Sequence, residues 1–73
     1  MPAEEKLKLR LGRRCRALRR ERGLSQLDIV RNFNFSLSHY QKIERGDLDP
    51  RLTTLVKLAA CFDVSLSELL HDV

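Results

Sequence analysis

Between Ser36 and Gly46 the chain places Leu37, Ser38, Gln41, Lys42 and Arg45 at intervals of one and three residues. Wound at 100° per residue, these five side chains fall within an outward arc of roughly 140°, while Tyr40 and Ile43 point the opposite way. The arc offers a hydroxyl, an amide, an ammonium and a guanidinium, the donors and acceptors that meet base edges and phosphates in a major groove. A solvated helix would be polar too, so the arc gains meaning only from the elements that hold it. No Ser-His-Asp, Cys-His or paired-carboxylate set can be assembled elsewhere, and a core this small leaves little room for a pocket. Catalysis is not expected. His39 lies at the border between the two faces and His71 near the terminus, neither with a cysteine or acid at ligand spacing. We expect no metal, no cofactor and no small-molecule ligand.

The elements that position the arc announce themselves through helix-start and helix-stop signals. A first helix is expected from about Ala3 to Arg22, with Pro2 suited to a first-turn position, Glu4 and Glu5 to the positive end of the dipole and Gly23 as its stop. Leu7, Leu11, Cys15 and Leu18 share one side of it. Gly12 inside that helix costs about 1 kcal/mol relative to alanine, which points to a close neighbour there. Three later helices repeat one device, a capping side chain flanked by an apolar pair. Ser25 caps the second, with Asp28 reciprocating and Leu24 stapled to Ile29. Ser36 caps the third, with Phe35 stapled to Tyr40, and Ser65 with Glu68 opens the fifth, with Val64 and Leu69 as its staple. The fourth helix is expected to start near Asp49-Pro50 and to turn Leu52, Leu55, Val56, Ala59 and Phe62 inward, ending near Asp63. Between the second and third helices only about three residues remain, built on Asn34, a residue that tolerates the left-handed conformation. Two short helices joined so tightly cross steeply, as in a helix-turn-helix, although an ordinary turn between packed helices would read similarly.

Seventy-three residues make one domain, residues 1–73, that buries only about 60% of its unfolded surface. The net charge of +4 is unevenly spread: residues 1–22 hold nine Lys or Arg against three Glu, and residues 47–73 two against five acids. In the field of a polyanion the acidic end would turn away. Lys6, Arg13, Arg16 and Arg20 form a stripe on the first helix, read here as a solvated face rather than a phosphate, membrane or partner site. Cys15 and Cys61 match no metal or redox spacing, leaving a long-range disulfide or two reduced core thiols, of which we expect the second. With no secretory signal and no uncharged stretch near the roughly 20 residues that cross a bilayer, the chain reads as soluble and cytoplasmic.

Ser25-Gln26-Leu27-Asp28-Ile29-Val30, then Asn34-Phe35-Ser36, then Tyr40-Gln41-Lys42-Ile43-Glu44-Arg45-Gly46 resembles the phage Cro and repressor type of helix-turn-helix, the XRE family. The resemblance extends through Leu18-Arg19 and Gly23-Leu24 on one side, and on the other through Pro50, Leu52, Leu55, Leu58-Ala59 and residues 64–69. It implies an all-α, compact five-helix bundle of the lambda-repressor-like type whose second and third helices form the motif. It further implies that Gln26 meets a phosphate, that Lys42 and Arg45 reach the backbone or groove floor, and that Ser36, Leu37, Ser38, His39 and Lys42 lie over base edges with Gln41 close by. Arg19 and Glu44 resemble a structural ion pair. Val30 stands where the family usually has alanine, Asn34 where it has glycine, and Phe35 and Tyr40 exceed the usual aliphatic residues. Leu37 replaces a frequent polar base reader, suiting either a thymine methyl or a protein surface.

The expected function is sequence-specific binding of double-stranded DNA by a transcriptional repressor or regulator. The alternative is a protein-interaction module, adaptor or antitoxin-like, on the same fold. A homodimer is expected, because one small module gains affinity by pairing across a palindrome; Leu66, Leu70 and Val73 are the candidates for its seam, with closure of the monomer core as the alternative role of Leu66 and Leu70.

Overall fold

A computed structural model describes residues 2–73. Among them lie five helices and no strand: α1 (Ala3–Glu21), α2 (Gln26–Phe33), α3 (Leu37–Arg45), α4 (Leu52–Cys61) and α5 (Leu66–Leu69). Three of these begin at the serines expected from sequence. The Asp28, His39 and Glu68 amides donate to the hydroxyls of Ser25, Ser36 and Ser65 at 3.0, 3.1 and 3.0 Å. Each bond satisfies one of the orphan amides that a helix start exposes.

The helix ends repeat a device of their own. At Gly23 (φ 65°) the Leu24 amide reaches back to the Arg19 carbonyl, at Gly46 (φ 76°) the Asp47 amide reaches Lys42, and at Asp63 (φ 54°) the Val64 amide reaches Ala59. These are Schellman closures, which redirect the chain by one left-handed residue while satisfying terminal carbonyls.

Every helix sends side chains to one core: Cys15 from α1, Ile29 from α2, Tyr40 and Ile43 from α3, Leu58 from α4 and Leu69 from α5, with Phe62 just beyond α4. Cys15 and Cys61 are free thiols within it. Burial, with the charge of Glu44, pushes Cys15 up to about 12, and burial pushes Cys61 to about 11. α1 packs chiefly against α3, and Gly12 is where the two backbones meet. A Cβ there would strike the Glu44 carbonyl oxygen and stand 2.8 Å from the Ile43 carbonyl oxygen.

Three expectations need correcting. Leu7 does not join the buried side of α1: it is 49% exposed, whereas Leu11, Cys15 and Leu18 are buried. α4 starts at Leu52 after Arg51, with no side-chain cap, so Asp49-Pro50 lies in the approach to the helix rather than in its first turn. Pro50 is instead half-buried beside Leu11, Leu55 and Leu70. α4 also faces differently. Leu58, Ala59 and Phe62 go inward, whereas Leu52 and Val56 are 67% and 54% exposed. Apolar residues surround most of this helix, so periodicity alone could not choose its buried side. No helix among the described residues is long and apolar enough to cross a membrane.

Candidate nucleic-acid interface

Asn34 closes α2 in the left-handed region, at φ 57° and ψ 46°, and its carbonyl accepts from the Lys57 ammonium at 2.8 Å. The same ammonium lies 4.2 Å from the centroid of Phe35, a cation–π contact. Phe35 in turn meets Tyr40 edge-on, centroids 5.8 Å apart. These large aromatics thus form the staple at the entrance of α3 and tie the turn to α4. Lys57 was missed by sequence reasoning, since a contact across 23 residues leaves no spacing signal.

From the far end, α3 is held by Glu44, whose side chain is 1% exposed. Arg19 donates to both of its oxygens, Nε to Oε2 at 2.7 Å and an η-nitrogen to Oε1 at 3.1 Å, and sends its other η-nitrogen to the Leu24 carbonyl at 3.0 Å. Arg16 adds its charge at 3.6 Å. Burial alone would raise the Glu44 pKa. The Arg19 bonds, the nearby Tyr40 hydroxyl and a bond from Gln26 outweigh it, holding the carboxyl below its ordinary range. The buried Tyr40 oxygen itself finds no aligned hydrogen-bond partner among the described residues. A bidentate, buried arginine–carboxylate pair between α1 and α3 sets both the position and the roll of α3.

With the inner side locked, the outer side of α3 is open. Leu37, Ser38, Lys42 and Arg45 are exposed, and Gln41 is half-buried at the edge facing α2. Ser36 is exposed as well, but its oxygen is engaged in capping. His39 is half-buried, its ring 5.8 Å from Phe35. Arg45 pairs with Asp47 at 3.1 Å, so an incoming phosphate would have to displace that carboxylate. Gln26 opens α2 with both polar atoms already used. Its amide nitrogen donates to Glu44 Oε1 and its carbonyl oxygen accepts from the Gln41 amide nitrogen, each at 3.2 Å. The structure therefore gathers Gln26, Leu37, Ser38, Gln41, Lys42 and Arg45 around α3, with Ser36 and His39 at its entrance. No cluster of metal-binding side chains occurs among the described residues.

Known proteins resemble this chain in sequence and fold. The chain is 37% identical over 65 residues to the HTH-type transcriptional regulator DdrOP3 of Deinococcus deserti, covering 89% of this chain and 50% of that protein. It is 32% identical over 68 residues to control protein C.MunI of a Mycoplasma species, covering 92% of each. The crystal structure of the restriction-modification controller protein C.AhdI from Aeromonas hydrophila superposes with a TM-score of 0.79 at 33% identity, over 84% of this chain and 92% of that one. Relatives of the DdrOP3 type are longer, and the chain spans about half of that regulator's length. Because the helix-turn-helix family model HTH_3 matches residues 16–69, the span from the Glu44-binding arginines of α1 to the last residue of α5, the chain belongs to that family.

Proposed function

We propose that this chain binds double-stranded DNA sequence-specifically and acts as a transcriptional regulator, with the outer side of α3 in the major groove. One observation carries the reading: α3 buries Tyr40, Ile43 and Glu44 while leaving Leu37, Ser38, Lys42 and Arg45 open to an incoming surface. Lys42 and Arg45 lie in the last turn and bring positive charge to the strands. Ser36, Leu37, Ser38, His39 and Gln41 cover base edges, and Gln26 turns its remaining amide hydrogen to a phosphate near the start of α2. The regulators and repressors among its relatives support this role over that of an adaptor or an enzyme.

The active unit in this reading is a homodimer, so that two α3 helices enter successive grooves of a palindrome. The exposed apolar surface supports it. Leu7, Leu52 and Val56 are open to solvent, and Leu7 lines a hollow of about 290 Å³ together with Leu11, Pro50, Leu55, Leu70 and Val73. Lys8 and Asp49 stand at its edge, a cation and an anion suited to pairing across a two-fold axis. All three seam residues expected from sequence pack against the monomer's own core, and of them Leu70 and Val73 also line this hollow. Selection from a random duplex library tests the function: a palindromic motif is expected, and failure to enrich any motif would refute it.

A further inference from the structure

The contacts between Glu44, Gln26 and Gln41 form a relay with only one possible polarity. Glu44 is almost fully buried and ionised under the two Arg19 bonds, so it can only accept. An amide beside it must therefore present nitrogen, which fixes Gln26 with Nε2 toward Glu44 Oε1 at 3.2 Å. The Gln26 carbonyl oxygen then faces α3, and the neighbouring amide of Gln41 must present nitrogen in turn, again at 3.2 Å. Were either amide reversed, two oxygens would oppose each other beside a buried charge. One carboxylate thus orients two successive amides, and the Gln41 carbonyl oxygen, with one amide hydrogen, is left for an outside partner.

Gln41 lies four residues after Leu37 and four before Arg45, within the outer arc. We infer that Gln26 is a positioning residue for base reading: it holds Gln41 in the orientation that recognises adenine. Adenine offers an N6 amino group to the Gln41 oxygen and N7 to the remaining amide hydrogen, whereas cytosine offers only an amino group. Guanine and thymine present acceptors at the positions where Gln41 presents its oxygen. This inference rests on the proposed duplex-binding role of α3, and it gives Gln26 a part in specificity that a phosphate contact lacks.

The test is site selection and equilibrium titration with the full chain, its Gln26→Ala, Gln26→Met and Gln41→Ala variants, and the Gln26→Ala/Gln41→Ala double variant. Gln26→Met keeps the packing volume while removing both polar atoms. The parent is expected to favour adenine at one position of each half-site by about tenfold over guanine. All four variants lose that preference while keeping the others, and the double variant loses no more than Gln41→Ala does. Replacing that adenine by purine, which lacks the amino group, weakens the parent but leaves Gln26→Met unaffected. Uniform weakening by Gln26→Met with the adenine preference intact, or additive losses in the double variant, would overturn the relay while leaving duplex binding standing. If no duplex is bound even at low salt, the DNA reading and the relay fall together.

Discussion

Gly12→Ala is the substitution for which local and tertiary physics give opposite signs. On an isolated helix the change gains about 1 kcal/mol, since alanine spends less conformational entropy than glycine. At this site the added Cβ meets the backbone of Ile43 and Glu44, with the Ile43 oxygen 2.8 Å away and the Glu44 carbonyl carbon also at 2.8 Å. Backbone atoms at a helix end cannot rotate aside, so α1 and α3 must separate. Overpacking of this kind costs about 1–3 kcal/mol and occasionally more. Three backbone contacts place the cost at the upper end, for a net destabilisation of about 1–2 kcal/mol. In a domain of this size each kcal/mol moves Tm by about 4–8 °C, so Tm should fall by roughly 5–15 °C. Ala17→Gly, on the exposed side of the same helix, is the control and should lose about 1 kcal/mol by propensity alone. Thermal melts by circular dichroism, with amide shifts of Ile43 and Glu44 followed by NMR, make the measurement. A Gly12→Ala variant as stable as the parent, with those amides unmoved, would refute the close approach of α1 to α3.

Four further outcomes follow from the same structure. Arg19→Ala leaves Glu44 buried without its main partner and should cost about 3–5 kcal/mol, a large share of the roughly 4–11 kcal/mol available to a domain of this length; a urea midpoint close to the parent's would contradict it. The depressed Glu44 pKa means that its stabilising contribution is complete above its ordinary value of 4.5 and is lost as pH falls through the lower folded value; acid melts should show this loss, and Glu44→Gln, though less stable at neutral pH, should show a flatter acid limb. Cys15 and Cys61, both buried with raised pKa values, should react with a thiol reagent at pH 8 only as the protein unfolds, and fast labelling in native buffer would argue against their placement. Leu52→Asp, at the most exposed apolar side chain of α4, should raise the dimer dissociation constant by about tenfold or more in sedimentation while leaving the helical circular-dichroism spectrum of the folded chain unchanged, whereas an unchanged dimer would move the seam elsewhere.

The helix starts were readable because a cap involves residues three apart. Ser25, Ser36 and Ser65 each bond the amide three positions on, and Asp28 and Glu68 return bonds to the capping amides. The left-handed turn at Asn34 and the crowding at Gly12 were readable for a related reason, since each residue type signals a backbone demand at its own position. The outer side of α3 followed from periodicity, because Tyr40 and Ile43 leave only one direction inward. α4 offered no such contrast. With Leu52, Leu55, Val56, Leu58 and Phe62 distributed around it, its inward side depended on where α2 and α5 packed. Nor could sequence show which polar groups were already engaged. Arg45 beside Asp47, Gln26 between Glu44 and Gln41, and Lys57 on the Asn34 carbonyl all depend on side-chain placement.

Salt dependence of duplex binding probes the outer side of α3 most directly, because every phosphate neutralised releases counterions. Fluorescence-anisotropy titrations between low and physiological salt should give a negative log–log slope of about 0.9 per phosphate contacted. Lys42→Ala and Arg45→Ala should each shrink that slope by about one per cation removed from the strands. A slope near zero, or one that neither variant alters, would contradict the placement of α3 in the groove.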